Sequence, residues 1–170
     1  LIIISLSILV VVIPKTRNKF VELIKIEEAS SISSTSTNTR YSIYKVAITL
    51  IKKAPLLGYG IGDYNDVLAL EYKKKAPFLF SERYNSHNQY LSFLLIGGIP
   101  LLIIYLFFIY YNIKISVNNQ NYLPVIIICF YSVVMLTENI LERESGVIFF
   151  AFLINFFALK NYSKKPIPNY

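Results

Sequence analysis

Apolar residues along this chain gather in blocks. Leu1 to Ile13 is almost wholly apolar, and Leu91 to Ile113 is broken only by Ser92, Gly97, Gly98, Pro100 and Asn112. Two shorter blocks follow, Tyr122 to Leu136 and Gly146 to Leu159. A helix needs roughly 20 consecutive apolar residues to cross a bilayer, within a range of about 17 to 25. The second block meets that length alone. The third and fourth reach it only with the partly polar residues of Thr137 to Ser145, while Tyr122, Phe156 and Phe157 suit the two interfaces. A hairpin that only dips into the membrane is the alternative for this pair. The pattern predicts an all-α, polytopic transmembrane chain with spans at 1–13, 90–113, 122–140 and 143–159. One large polar loop fills 14–89 and a tail fills 160–170. The first span opens on Leu1 inside an apolar run and has its basic residues, Pro14 to Lys19, on its far side. A secretory signal has them in front, so the block reads as the truncated start of a span, with further protein expected ahead of it.

The long loop has its own pattern. Ala29 to Thr39 is a Ser/Thr tract that reads as a surface linker. Ile43, Val46, Ala47, Leu50 and Ile51 then recur at helical spacing. They predict an amphipathic helix over 40–53, on or near the membrane face. Asn38 or Thr39 is placed to cap it, Lys52 and Lys53 complement its C-terminal dipole, and Pro55 ends it. A glycine-rich turn, GYGIGD, and a variable polar stretch through Lys73, Lys74 and Lys75 lead to the second span.

Charge adds direction. The chain carries +7, and twelve of its 17 Lys and Arg lie between Pro14 and Asn88 against seven of its ten acids. A basic surface suits nucleic acid, anionic headgroups or an anionic substrate. No nucleic-acid motif is present, and the flanking spans favour membrane lipids and substrate. One Cys and one His exclude an internal disulfide and a Cys or multi-His metal site. Lys160, Lys164 and Lys165 put the C-terminus in the cytoplasm by the positive-inside rule, and counting back through three spans puts the 14–89 loop outside. Loops longer than about 60 residues escape that rule, so the loop's own basic charge does not reverse the assignment.

Several residues have the chemistry for a site. His87 stands between Ser86 and Asn88 at the mouth of a span, and His is a frequent general base near neutral pH. The other reading is an interfacial His bonded to headgroups or backbone. Arg40 opens the amphipathic helix with Tyr44 one turn on, and its planar fork grips phosphate oxygens in pairs. The other reading is a solvated helix-start residue, although the helix dipole opposes a cation there. Gly58, Gly60 and Gly62 fit neither a dinucleotide fingerprint nor a Walker loop and favour a structural turn. Glu138, Glu142, Arg143 and Glu144 read as interfacial ion pairs in the last outer loop.

Their combination is more specific than any part. An Arg-led helix (Arg40, Tyr44), a P-x-x-G-x-G turn (Pro55, Gly58, Gly60), then Ser86, His87, Asn88, Tyr90, Leu91 and a glycine-containing span at Gly97 or Gly98 resembles the C-terminal half of the O-antigen ligase and polymerase family. The resemblance runs from about Arg40 to Gly98. It implies a metal-independent, inverting glycosyltransferase of the bacterial inner membrane, working on the outer face without a cofactor. Such an enzyme polymerises or ligates oligosaccharides carried on polyprenyl pyrophosphate, onto a glycan or lipid acceptor, for lipopolysaccharide, capsule or other envelope polysaccharide. It casts His87 and Arg40 as catalytic, and Tyr44, Arg83, Asn88, Gly58 and Gly60 as substrate contacts. Two positions depart from the family pattern. Tyr44 stands where members often have Trp, and Leu94, Leu95 and Ile96 stand where members have an acid. The family also uses basic residues of an N-terminal bundle. A non-catalytic transport or scaffold subunit of a polysaccharide export system is the alternative function. The near absence of charge inside the spans, where ion pathways place it, counts against that alternative.

Overall fold

The computed structural model describes residues 35–162, together with the isolated helical positions Pro14, Arg17, Asn18 and Val21. The expected span at 1–13, most of the Ser/Thr tract and the tail beyond 162 lie outside the described residues. Among the described residues the fold is all helix: α1 (Ser36–Lys53), α2 (Tyr64–Lys75), α3 (Pro77–Ser81), α4 (Gln89–Asn118), α5 (Tyr122–Val134), a single 3₁₀ turn (Ile140–Glu142) and α6 (Glu144–Tyr162).

The predicted amphipathic helix forms as α1 and begins a turn earlier than expected. Thr35, not Asn38 or Thr39, caps it, with its hydroxyl accepting from the Asn38 N–H at 3.3 Å. Its buried stripe of Ile43, Val46, Ala47 and Leu50 packs against Tyr64, Leu68 and Tyr72 of α2 and Leu95 of α4. Helix α2 occupies the stretch read as variable and polar. Its apolar residues fall at i, i+4 and i+8, one face of a helix. Glu71, buried on the same helix, takes Lys53 and Lys75 at 3.2 Å each. Burial pushes that carboxyl up, but the hydrogen bonds from Lys75 and Lys53 outweigh it and hold it below the usual carboxylate range. The pair from Lys53 ties α1 to α2.

Helix α4 is broken at Gly98 (φ 64°, ψ −159°), two residues before Pro100. Pro100 has no N–H to give to Ile96, and the twist at Gly98 frees neighbouring groups. The turn after α1 takes up three of them. The N–H of Tyr59 donates to the Leu95 carbonyl (2.7 Å), that of Gly60 to Ile96 (2.8 Å), and that of Ile99 to the Pro55 carbonyl (2.9 Å). The close approach needs two glycines. A Cβ on Gly58 would lie 2.5 Å from the Leu95 oxygen, and one on Gly98 would lie 2.4 Å from the Leu56 oxygen.

This break divides α4 between two lobes. Residues 89–98 are buried or half-buried, and Leu95 belongs to the α1–α2 core. Beyond the break, Tyr105 packs with Ile128 and Met135 of α5 and its following turn, and with Phe150 and Ile154 of α6. The outer faces there are large apolar residues left exposed, among them Ile103, Ile104 and Phe107 on α4, Phe130 on α5 and Phe152 on α6. By length and composition one described helix, Gln89–Asn118, suffices to cross a membrane; α5 and the apolar part of α6 are shorter.

Candidate functional site

The site forms where α1, the start of α4 and the turn after α5 meet. Asn88 sets its frame. As the N-cap of α4, its side chain accepts from the N–H groups of Tyr90 (3.0 Å) and Leu91 (3.1 Å), and its amide donates to the Leu136 carbonyl at 2.9 Å. A second tie runs from the Gln89 N–H to the Met135 carbonyl at 2.9 Å. Below these, Asn139 is buried and donates to Ser86 (3.1 Å), Ser92 (2.8 Å) and Glu142 (2.8 Å). Buried polar groups must be paired, so this network fixes the residue 136–142 segment against the residue 86–92 segment.

His87 rides on that frame in a left-handed backbone conformation (φ 46°). Its N–H donates to the Asn85 side chain at 3.1 Å, and its carbonyl accepts from the Tyr44 hydroxyl at 3.1 Å. Tyr44 also leans on the Leu136 carbonyl at 3.3 Å. It is thus a strut between α1 and the site, and burial raises its hydroxyl pKa. The imidazole Nδ1 is buried and has no hydrogen-bond partner, while a quarter of the side chain stays exposed.

Glu138 is the centre of charge. Its Oε1 takes Arg40 at 3.0 Å, its Oε2 takes Arg143 at 3.4 Å, and His87 Nδ1 stands 3.9 Å from Oε2. The last distance is too long for a hydrogen bond but close enough for charge to be felt. Burial is the main influence on His87 and lowers its pKa. Glu138 acts upward, while Arg40 and Arg143 add to the lowering, so the ring is held below the ordinary histidine range. A neutral imidazole beside two guanidinium groups and one carboxylate can receive a proton at one nitrogen while the carboxylate faces the other.

Of the residues expected from the sequence, Arg40, Tyr44, His87 and Asn88 therefore come together. Arg83 does not join them. It lines a neighbouring cavity with Asp66, Asn85 and Glu142, and the guanidinium groups acting on His87 are those of Arg40 and Arg143. Gly58 and Gly60 serve the break in α4. The residue that sequence reasoning missed as a site member is Glu138, read there as an interfacial ion-pairing acid. It does form ion pairs, but with the site's own cation and beside its histidine. Its local sequence, TENILERES, carries no sign of partners about fifty and a hundred positions away.

Residues 1–106 match the family described as O-Antigen ligase. That stretch contains all seven expected site residues and the break in α4, and it ends before Glu138. An uncharacterized protein of Haemophilus influenzae is 31% identical over 130 residues, covering 69% of this chain and 32% of that protein, so the chain spans about a third of that relative's length. No solved structure matches.

Proposed function

The chain belongs to the O-antigen ligase family, and we propose that it carries the acceptor-activating site of a membrane glycosyltransferase that polymerises or ligates polyprenyl-pyrophosphate-linked oligosaccharides. The observation that carries this reading is the meeting of His87 and Arg40 at Glu138 from segments far apart in the chain. A transferase of this kind needs a base for the attacking hydroxyl and a counter-charge for the leaving group, and those are the two groups brought together.

In the proposed step, the exposed side of His87, opposite buried Nδ1, takes the proton of an acceptor sugar hydroxyl. That oxygen attacks the anomeric carbon of the donor. The bond from that carbon to the pyrophosphate oxygen breaks in line, which inverts the centre. The negative charge on the departing polyprenyl pyrophosphate grows in the transition state, where a fixed cation stabilises it most. Arg40 supplies that cation. Glu138 engages its Nη2, and a guanidinium has further N–H donors to present to phosphate. Glu138 also faces the imidazolium formed at His87. Cationic side chains take the counter-charge role that a metal plays in other transferases.

The exposed apolar lobe is read as the part in contact with lipid. From Ile99 to Asn118, α4 rises about 30 Å at ~1.5 Å per residue, close to the roughly 30 Å of bilayer hydrocarbon. Leu56, Leu57 and Ile61 project beside the break, with Leu57 81% exposed, and suit the bilayer boundary. The His87 site then lies at the membrane surface, on the outer face in the orientation set by the C-terminal lysines.

The test is glycan transfer by the full-length protein. His87→Ala is expected to lower transfer by about 10²- to 10⁴-fold, the usual worth of a general base, with normal accumulation in the membrane. His87→Gln is expected to fail equally, because an amide cannot accept the proton. Wild-type transfer by the Gln variant would make His87 a positioning group, and wild-type transfer by the Ala variant would remove it from the chemistry.

A further inference from the structure

The loop from α3 to α4 is twisted at both ends. Arg83 (φ 49°) and His87 (φ 46°) are two of the three non-glycine residues in the left-handed region among those described. Residues with a Cβ avoid that region unless the surroundings impose it, and such outliers gather at functional sites. The twist turns Arg83, Tyr84 and Asn85 toward an open cavity of about 660 Å³, walled also by the polar Asn65, Asp66 and Glu142 and by the apolar Ala69, Leu70 and Phe80. Its size falls within the roughly 300–1,000 Å³ usual for ligand pockets.

The chemistry of the wall is mixed in a particular way. Asp66 and Glu142 accept hydrogen bonds, Arg83 donates them, Asn65 and Asn85 do both, and Tyr84 offers an aromatic face. An acyl chain would suit the apolar wall but would strip water from Asp66, Asn65 and Arg83 with no hydrogen bond in return. A phosphate would meet two carboxylates. A pyranose matches, because its hydroxyls both donate and accept while its C–H face is apolar. The cavity also communicates with His87. The Tyr84 ring lies 5.8 Å from the imidazole, and the Asn85 side chain holds the His87 N–H at 3.1 Å. Glu138, paired with the cation Arg40, stands 3.9 Å from His87 Nδ1.

We propose that this cavity is a saccharide subsite that seats the end sugar of the acceptor glycan, so that its attacking hydroxyl reaches His87 past Tyr84. Asp66 and Glu142 hold hydroxyl hydrogens, Arg83 and the two amides hold hydroxyl oxygens, and Tyr84 covers the ring face. The donor's pyrophosphate stays with Arg40. The assignment rests on the glycan-transfer reading of the His87 site, of which it names the acceptor side.

The experiment uses full-length protein in lipid nanodiscs. The probe is oligosaccharide released by mild acid from the surface polysaccharide of the producing organism, with binding read by saturation-transfer NMR. Asp66→Asn and Tyr84→Ala are expected to weaken binding about tenfold, the worth of one hydrogen bond to a charged group or of a comparable contact. Tyr84→Phe keeps the ring and is expected to bind as wild type, which separates lost stacking from lost folding. Arg40→Lys, on the donor side, is expected to retain oligosaccharide binding, and Asp66→Asn to retain the lipid-linked donor. Wild-type oligosaccharide binding by both Asp66→Asn and Tyr84→Ala would overturn the proposal. So would loss of donor together with oligosaccharide in Asp66→Asn, since the cavity would then hold the donor's glycan. If His87→Ala transfers normally, the catalytic reading falls, while the oligosaccharide result still decides the cavity.

Discussion

Replacing Gly98 by Ala strikes the break in α4 directly. An L-residue held at φ 64°, ψ −159° lies in a region essentially reserved for glycine and costs roughly 1–3 kcal/mol. The new methyl group would sit 2.4 Å from the carbon and oxygen of Leu56 and 2.7 Å from the Pro55 oxygen, all of them backbone. No rotamer change relieves such a clash, so the turn must withdraw. Withdrawal strips the hydrogen bonds made by Tyr59, Gly60 and Ile99, each worth about 0.5–1.5 kcal/mol net. Together these losses come to about 3–7 kcal/mol. At roughly 2–4 °C per kcal/mol for a chain of this size, melting falls by about 6–28 °C. The assay is helix loss on heating, followed by circular dichroism of the purified full-length protein. Two other glycines calibrate it. Gly60→Ala meets nothing within 4 Å but sits at φ 85°, and is expected to lose about 1–2 kcal/mol from strain alone. Gly62→Ala meets nothing and has no positive φ, and is expected to be neutral or to gain up to about 1 kcal/mol. If Gly98→Ala melts with Gly62→Ala, the interlock between the turn and α4 does not exist as described.

Three further outcomes bear on the charge cluster. Arg40→Lys keeps the charge but loses the planar fork; transfer by the full-length protein should drop on the order of 10²-fold with unchanged membrane insertion, and undiminished transfer would return Arg40 to a solvated role. Because His87 is held low by burial, transfer should climb with pH to a half-point below about 6.5. Glu138→Gln removes the group that pulls that pKa up, so its half-point should move lower still while the maximal rate falls; a half-point that moves upward would contradict the electrostatics described.

The legible parts of this fold are those whose signal is local. The stripe from Ile43 to Leu50 announced α1, and the Arg40, Tyr44, His87 and Asn88 cluster followed from short motifs. Helix α2 also had a local signal, Tyr64, Leu68 and Tyr72 on one face, but it is diluted by Asn65, Asp66 and the lysines at the end, so the stretch read as a polar connection. In the same way Gly97–Gly98–Ile99–Pro100 carried the break in α4 but was absorbed into a continuous apolar run, because periodicity and composition alone do not separate a broken span from a whole one. Glu138 was illegible for a different reason. Its role depends on α5 delivering the 135–139 turn to the cap of α4, through contacts such as Gln89 to Met135. No pattern within a few residues of position 138 encodes such a long-range pairing.

The break in α4 also bears on the order in which the protein is made. The Pro55–Gly60 turn is synthesised before α4, and chains fold from the N-terminal side as they emerge. A turn formed in that order would offer a partner already in place to the carbonyls of Leu95 and Ile96 and to the N–H of Ile99. If the helix slid deeper into lipid ahead of that partner, these groups would stand bare in hydrocarbon, at several kcal/mol each. Until its turn has closed, α4 is two half-helices with an unpaired joint, and the turn makes them one insertable unit.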